Sequence, residues 1–102
     1  QPGGSHADEI ETSMMLYIAP ARVNMDKAEN DYHPGKGPLT PHADTPGVYS
    51  ASGIYGDATL ATPDKGRIVV EATVADLLTD IAELRRCPLP AAKSNGAPAN
   101  DV

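Results

Sequence analysis

The stretch that decides the fold is "TPDKGRIVVEATVADLLTDIAELRR", residues 62–86. The Thr62 hydroxyl can accept from a free amide in a first helical turn. Pro63 follows at the first helical position, where its missing N–H costs nothing. Val70, Val74, Leu77, Leu78, Ile81 and Leu84 then recur at helical spacing as one continuous apolar face. Arg85 and Arg86 suit the negative end of the helix dipole, and Pro88 stops the element. The pattern predicts a helix of about two dozen residues. Gly66 and the β-branched run after it are expected to weaken its first turns. An apolar face of this length needs a second layer to cover it.

Working outward, little else in the chain can do so. Ile10, Met14, Tyr17 and Ile18 repeat at helical spacing, thickened by Met15 and Leu16. Asp8 and Glu9 would lie in the first turn, where the positive dipole end favours acids, with Ser5 as N-cap and Pro20 as terminator. A helix from His6 to Ile18 is predicted. Residues 20–47 read as loop, because "DYHPGKGPLTPHADTPG" is rich in proline and glycine and has no period. A loop that long tends to be functional or disordered. Val48 and Ile54 fit short extended pieces only. Residues 1–88 form the folded part, and 89–102 have the composition of a disordered tail. The inventory is two helices, two long loops and a tail, so the chain is expected to dock onto a sheet that it does not contain in full.

Composition agrees. The 102 residues suit one domain, but hydrophobic residues are 40%, Trp and Phe are absent and Tyr number four, so the core must be poor. The net charge of −6 argues against nucleic acid and against an anionic membrane surface. No apolar run approaches the roughly 20 residues of a membrane span, and no signal-peptide pattern is present. The single Cys87 excludes an internal disulfide and fits a reducing compartment, which implies a cytoplasmic location. A start at Gln1 fits a chain processed or cut from a longer one.

Two stretches hold candidate chemistry. "HADEIETS", residues 6–13, puts a histidine and three acids at a helix start. On a helix, His6 and Glu9 would share a face, as would Asp8 and Glu11. A histidine at the positive dipole end stays neutral, available as base or ligand, and Glu11 beside the apolar stripe is expected to be partly buried. Ordinary dipole-matched acids would look the same, so the residues alone leave both readings open. "GIYGDATLATPDKG", residues 53–66, is a glycine turn leading to a capped helix, or a tight loop bringing Tyr55 or backbone amides to a site. It is not a phosphate loop, because no Lys-Ser/Thr closes it. His33 and His42, with Asp31 and Asp44 nearby, read as solvated loop residues.

Together the two stretches resemble the creatininase (creatinine amidohydrolase) family. His6, Ala7, Glu9, Glu11, Thr12 and Ser13 fit its H-A-G-E-x-E-T-S pattern. Gly56, Asp57, Thr59, Ala61, Thr62, Lys65 and Gly66 fit its G-x-x-G-D-P-T-x-A-T-x-x-K-G pattern. Asp8 replaces the usual glycine and Ala58 the usual proline. The resemblance covers about residues 3 to 86 and implies the C-terminal part of a three-layer α/β domain. It implies an amidohydrolase cleaving the C–N bond of a small-molecule, cyclic or other amide. His6 and Glu11 would be the catalytic pair, with Asp8, Glu9, Tyr55 and Asp57 around them or next to the substrate. It implies a divalent metal, zinc or manganese, whose ligands lie in an N-terminal half absent here, and a homo-oligomer. The isolated chain is then expected to be inactive. The alternative is a non-catalytic subunit or truncated remnant that serves only assembly. Creatinine-hydrolysing members of the family are associated with tryptophans near the site and this chain has none, so the resemblance implies an amide other than creatinine.

Overall fold

A computed structural model describes residues 1–91. Two helices dominate: α1, Glu9–Ile18, and α2, Pro63–Arg86. The α2 boundaries follow the sequence signals. The Thr62 hydroxyl accepts from Lys65 N at 3.3 Å, Pro63 takes the first position, and the helix closes with Cys87 N donating to Leu84 O.

Helix α1 starts three residues later than its pattern predicts. Ala7 adopts a left-handed φ of 46°, which breaks any helix running through it. The N-cap is Asp8 and not Ser5: its carboxylate accepts from Ile10 N and Glu11 N, both at 3.0 Å. Ser5 and His6 are held extended instead, by backbone bonds to Tyr55. Aspartate caps as well as serine does, so the extended pairing decides which residue begins the helix. Ala19, just before Pro20, ends α1 as expected.

The helices meet at Gly66, which gives this glycine a packing role beside its expected effect on the first turns of α2. Gly66 is buried, and a Cβ built on it would overlap the Ser13 carbonyl. Ser13 is fully buried; its hydroxyl donates to Glu9 O and accepts from Thr62 N at 3.1 Å. The contact is backbone against backbone, with a small polar plug satisfied on both sides.

The remaining core is as thin as the composition implies. Among the described residues the buried apolar ones are Val48, Ala58 and Ala61. Val48 and Tyr49 form strand β2, paired in parallel with β1, Leu39–Thr40, with Leu39 opposite Val48. Parallel strands usually need a crossover of about a dozen residues. Here residues 41–47 suffice, because each strand is two residues long and Gly47 turns at a φ of 141°. A side chain at Gly47 would strike the Pro38 carbonyl. Ile54 lies outside both strands. Short 3-10 turns at Pro20–Arg22 and Met25–Lys27 shape the loop after α1. The described residues thus supply helices and a small sheet, while most of the predicted α2 face stays open: Val74, Leu77, Leu78, Ile81 and Leu84 are all exposed. Most of the expected tail lies outside the described residues.

Candidate functional site

Backbone pairing brings three distant segments together. Ser5 N donates to Tyr55 O at 2.9 Å, and Tyr55 N donates to His6 O at 2.8 Å. Asp31 N donates to Gly56 O at 2.9 Å, and Ala58 N to Glu29 O at 3.1 Å. Segment 55–58 is therefore the spine on which the histidine stretch and part of the long loop hang. Gly56, at a φ of 148°, lets this spine approach Asp8, whose Cβ would collide with any side chain there.

On this frame His6 and Glu11 are neighbours: Nδ1 and Oε2 lie 3.8 Å apart. Glu11 Oε2 also accepts from Ala7 N at 2.5 Å, so the carboxylate is oriented by the turn that carries the histidine. The pairing differs from the helical one that spacing suggests. His6 lies before α1, and it meets Glu11, not Glu9. Glu11 is also not buried, because its side chain is 54% exposed and that of His6 is 59% exposed. Glu11 stands in the first turn of α1, facing an open cleft of about 400 Å³ with Met15, Arg22, Val23 and Ile54. His6 lines a second cleft of about 330 Å³ with Thr40, Ser50 and Tyr55. Each member of the pair thus lines one of the two clefts.

The other acids of the motifs build the frame. Glu9 turns away from His6 and accepts from Lys65 Nζ at 2.7 Å and from the Gln1 amine at 2.5 Å. The Lys65 hydrogen bond, then that of the Gln1 ammonium, hold its carboxyl below the usual range. Lys65 also donates to Leu60 O at 2.7 Å, so its ammonium joins Glu9 of α1 to the turn that precedes α2. Asp8 is buried and accepts from Gln1 Nε2 at 2.6 Å besides capping α1. Asp57 is buried as well; it accepts from Thr59 N at 3.0 Å and caps the turn Ala58–Leu60. Gln1 Oε1 accepts from both Glu9 N and Asp57 N, at 3.0 and 3.1 Å, so one amide links the two motifs. Tyr55 stacks obliquely on Tyr32, with ring centres 5.4 Å apart.

One node was not visible as such in the sequence. Asp31 accepts from Ser52 Oγ at 2.6 Å, Ser50 Oγ at 2.7 Å and Ser52 N at 3.3 Å, with His33 Nε2 at 2.8 Å. These donors, Ser52 first, pull its carboxyl down to about 2. The node pins the loop at Ser50, a lining residue of the His6 cleft. The nearness of Asp31 to His33 reads only as a solvated loop pair, but the Asp31 side chain is largely covered, and the Ser-x-Ser spacing of residues 50 and 52 carries no weight without its distant partner.

Among the described residues no three His, Cys, Asp or Glu side chains gather as a metal cluster would require. His6 and Glu11 form a pair only, and Glu11 already accepts from Ala7. A zinc or manganese site is not built from these residues. No helix among them is long and apolar enough to cross a membrane.

Comparison with known proteins gives the same family as the motifs. Creatininase, described as creatinine amidohydrolase, matches residues 1–81. The mycofactocin precursor peptide peptidase of Mycobacterium tuberculosis (strain CDC 1551 / Oshkosh) is 34% identical over 84 residues, covering 79% of this chain and 34% of that protein. The protein of that name from Mycobacterium ulcerans (strain Agy99) is 34% identical over 82 residues, covering 78% of this chain and 33% of its own length. The chain spans about a third of the length of these curated relatives. No solved structure matches it.

Proposed function

The chain belongs to the creatininase family, and from that premise we propose that it carries the proton-handling side of an amidohydrolase site. The observation that supports this is the His6–Glu11 pair, 3.8 Å apart, with each partner lining a cleft. Both partners are fixed through the backbone, His6 by its bridge to Tyr55 and Glu11 by the Asp8 cap and by Ala7 N. Hydrolysis of an amide needs a proton taken from the attacking water and one given to the departing nitrogen. The His6 imidazole does both in turn. Glu11 orients the ring and stabilises its charged form, closing the 3.8 Å gap to a hydrogen bond when substrate excludes water. Asp8, Glu9 and Asp57 hold the frame, and Tyr55 and Ser50 line the His6 cleft beside the substrate.

Any metal ligands belong to a complementing portion of polypeptide, which also covers part of the exposed apolar surface. The substrate is an amide. The name of the relatives favours a peptide bond. The complete enzyme is a homo-oligomer, and this chain alone is inactive.

The test mixes the chain with the remaining portion of a creatininase-family relative, adds zinc or manganese, and follows amine release from small amides and short peptides. Activity that appears on mixing and vanishes with His6→Ala supports the reading. Activity untouched by His6→Ala sinks it. The second reading is a non-catalytic subunit that serves only assembly. That reading predicts assembly without hydrolysis in the same mixture.

A further inference from the structure

We infer, resting on the reading of His6 as the proton-handling group, that Asp31 is a positioning residue for it. Asp31 clamps the segment 50–56 at both ends and so fixes Tyr55, the residue on which the histidine hangs. Tyr55 holds the histidine stretch through main-chain atoms: Ser5 N donates to Tyr55 O at 2.9 Å, and Tyr55 N to His6 O at 2.8 Å. The place of His6 therefore depends on what holds Tyr55. Residues 50–56 lie outside the helices and strands, between β2 and the turn Ala58–Leu60. Gly53 turns within them at a left-handed φ of 80°. A segment of this kind keeps one shape only where other groups tie it down.

Asp31 supplies those ties. At the far end of the segment its backbone N donates to Gly56 O at 2.9 Å. At the near end its Oδ2 meets Ser52 Oγ at 2.6 Å, Ser50 Oγ at 2.7 Å and Ser52 N at 3.3 Å. The same two hydroxyls reach on to Ile54, the neighbour of Tyr55. Ser50 Oγ lies 2.6 Å from Ile54 O, and Ser52 Oγ accepts from Ile54 N at 3.1 Å. One residue thus holds the chain on both sides of Tyr55. The Asp31 side chain is only 14% exposed, so water competes little for these bonds. His33 Nε2 takes the other oxygen, Oδ1, at 2.8 Å and fixes the plane of the carboxylate. Hydrogen bonds to an ionised acceptor are roughly twice as strong as neutral ones, which suits a single side chain to this task.

The first arm of the test uses the full chain alone. Hydrogen exchange of the Tyr55 amide, followed by NMR, reports the bond that holds His6. Asp31→Ala should speed it by about tenfold or more relative to the Thr62 and Gly66 amides, which report the contact between the helices. Asp31→Asn keeps one oxygen for the serines and should speed it less. Ser52→Ala should give the same pattern more weakly and add little to Asp31→Ala, since both act through one node. That variant keeps the test informative if Asp31→Ala folds poorly. The second arm uses the complemented assembly. There Asp31→Ala should lower kcat by about ten- to hundredfold with KM within about threefold, because a displaced proton donor slows chemistry and not binding. Asp31→Asn should recover most of the loss. A uniform rise in exchange across the chain, or no change at Tyr55, would overturn the proposal whether or not the assembly is active. So would a kcat that stays put in an active assembly while Tyr55 exchange rises. An assembly of parent chains that hydrolyses nothing counts against the amidohydrolase reading instead, and the exchange arm then decides the clamp.

Discussion

Replacing Gly66 by alanine should destabilise the chain, although the same change inside a free helix is stabilising. In an isolated helix the alanine gains about 1 kcal/mol over glycine. Here the added methyl lands on the Ser13 carbonyl, with Met14 N at 3.0 Å behind it. These are backbone atoms within α1, so no side chain can swing away. Overpacking of this kind costs about 1–3 kcal/mol, and a collision with backbone belongs at the upper end. If the helices separate to relieve it, the 3.1 Å bond from Thr62 N to Ser13 Oγ is lost, a further 0.5–1.5 kcal/mol or so. The net effect is a loss of about 1–3 kcal/mol, or roughly 4–8 °C in Tm per kcal/mol for a chain of this size. Urea unfolding followed by circular dichroism, at one fixed protein concentration because association shifts apparent stability, gives the number directly. A Gly66→Ala chain as stable as its parent, or more so, would refute the close helix contact.

Three further outcomes are expected. Asp8→Ala removes the N-cap of α1 and should cost about 0.5–2 kcal/mol by the same unfolding assay, whereas Ser5→Ala should cost nothing measurable. Asp31 has a folded-state value of about 2 against an ordinary 3.8, so its contribution is fully present above pH 3.8 and is lost as pH falls toward 2. An acid titration of stability should show that loss in the parent and a shallower one in Asp31→Asn, and equal slopes would count against the serine node. In the complemented assembly, His6→Ala should lower kcat by about 10²- to 10⁴-fold with unfolding midpoints unchanged, because the exposed ring contributes little to packing.

The sequence foretold those features whose causes are local. Thr62 and Pro63 start α2, and Pro20 and Pro88 limit the helices, because capping and proline chemistry act within a few residues. The alternating spacing of α2 also foretold an apolar face in search of a partner. Illegible were the features caused by distant partners. His6 is drawn out of α1 by Tyr55, 49 positions downstream, which moves the cap to Asp8 and re-pairs the histidine with Glu11. No periodicity carries that information. The exposure of Glu11 follows from the same shift, since the cleft beside it is walled by residues 22–28, a stretch with no pattern of its own.

The geometry also explains why the two motifs occur together, and that bears on which residues do chemistry. Four of the seven marked residues of the second stretch touch the first, and Asp57 reaches it through Gln1. Gly56 gives room to Asp8, and Asp57 N shares the Gln1 amide with Glu9 N. Thr62 N donates to Ser13, Lys65 pairs with Glu9, and Gly66 rests on the Ser13 carbonyl. Those positions are accounted for by packing, capping and charge pairing alone. His6 and Glu11 are the exceptions. Their side chains are more than half exposed and fill no core. The single hydrogen bond to either side chain, from Ala7 N to Glu11, orients the carboxylate toward the histidine and contributes little burial. Side chains that contribute so little to the fold, yet are carried by a frame built from both motifs, are the ones whose replacement should separate activity from stability. The paired measurement of kcat and unfolding midpoint in His6→Ala and Glu11→Gln is therefore decisive. If either variant loses stability in proportion to activity, the pair belongs to the frame and the catalytic assignment fails.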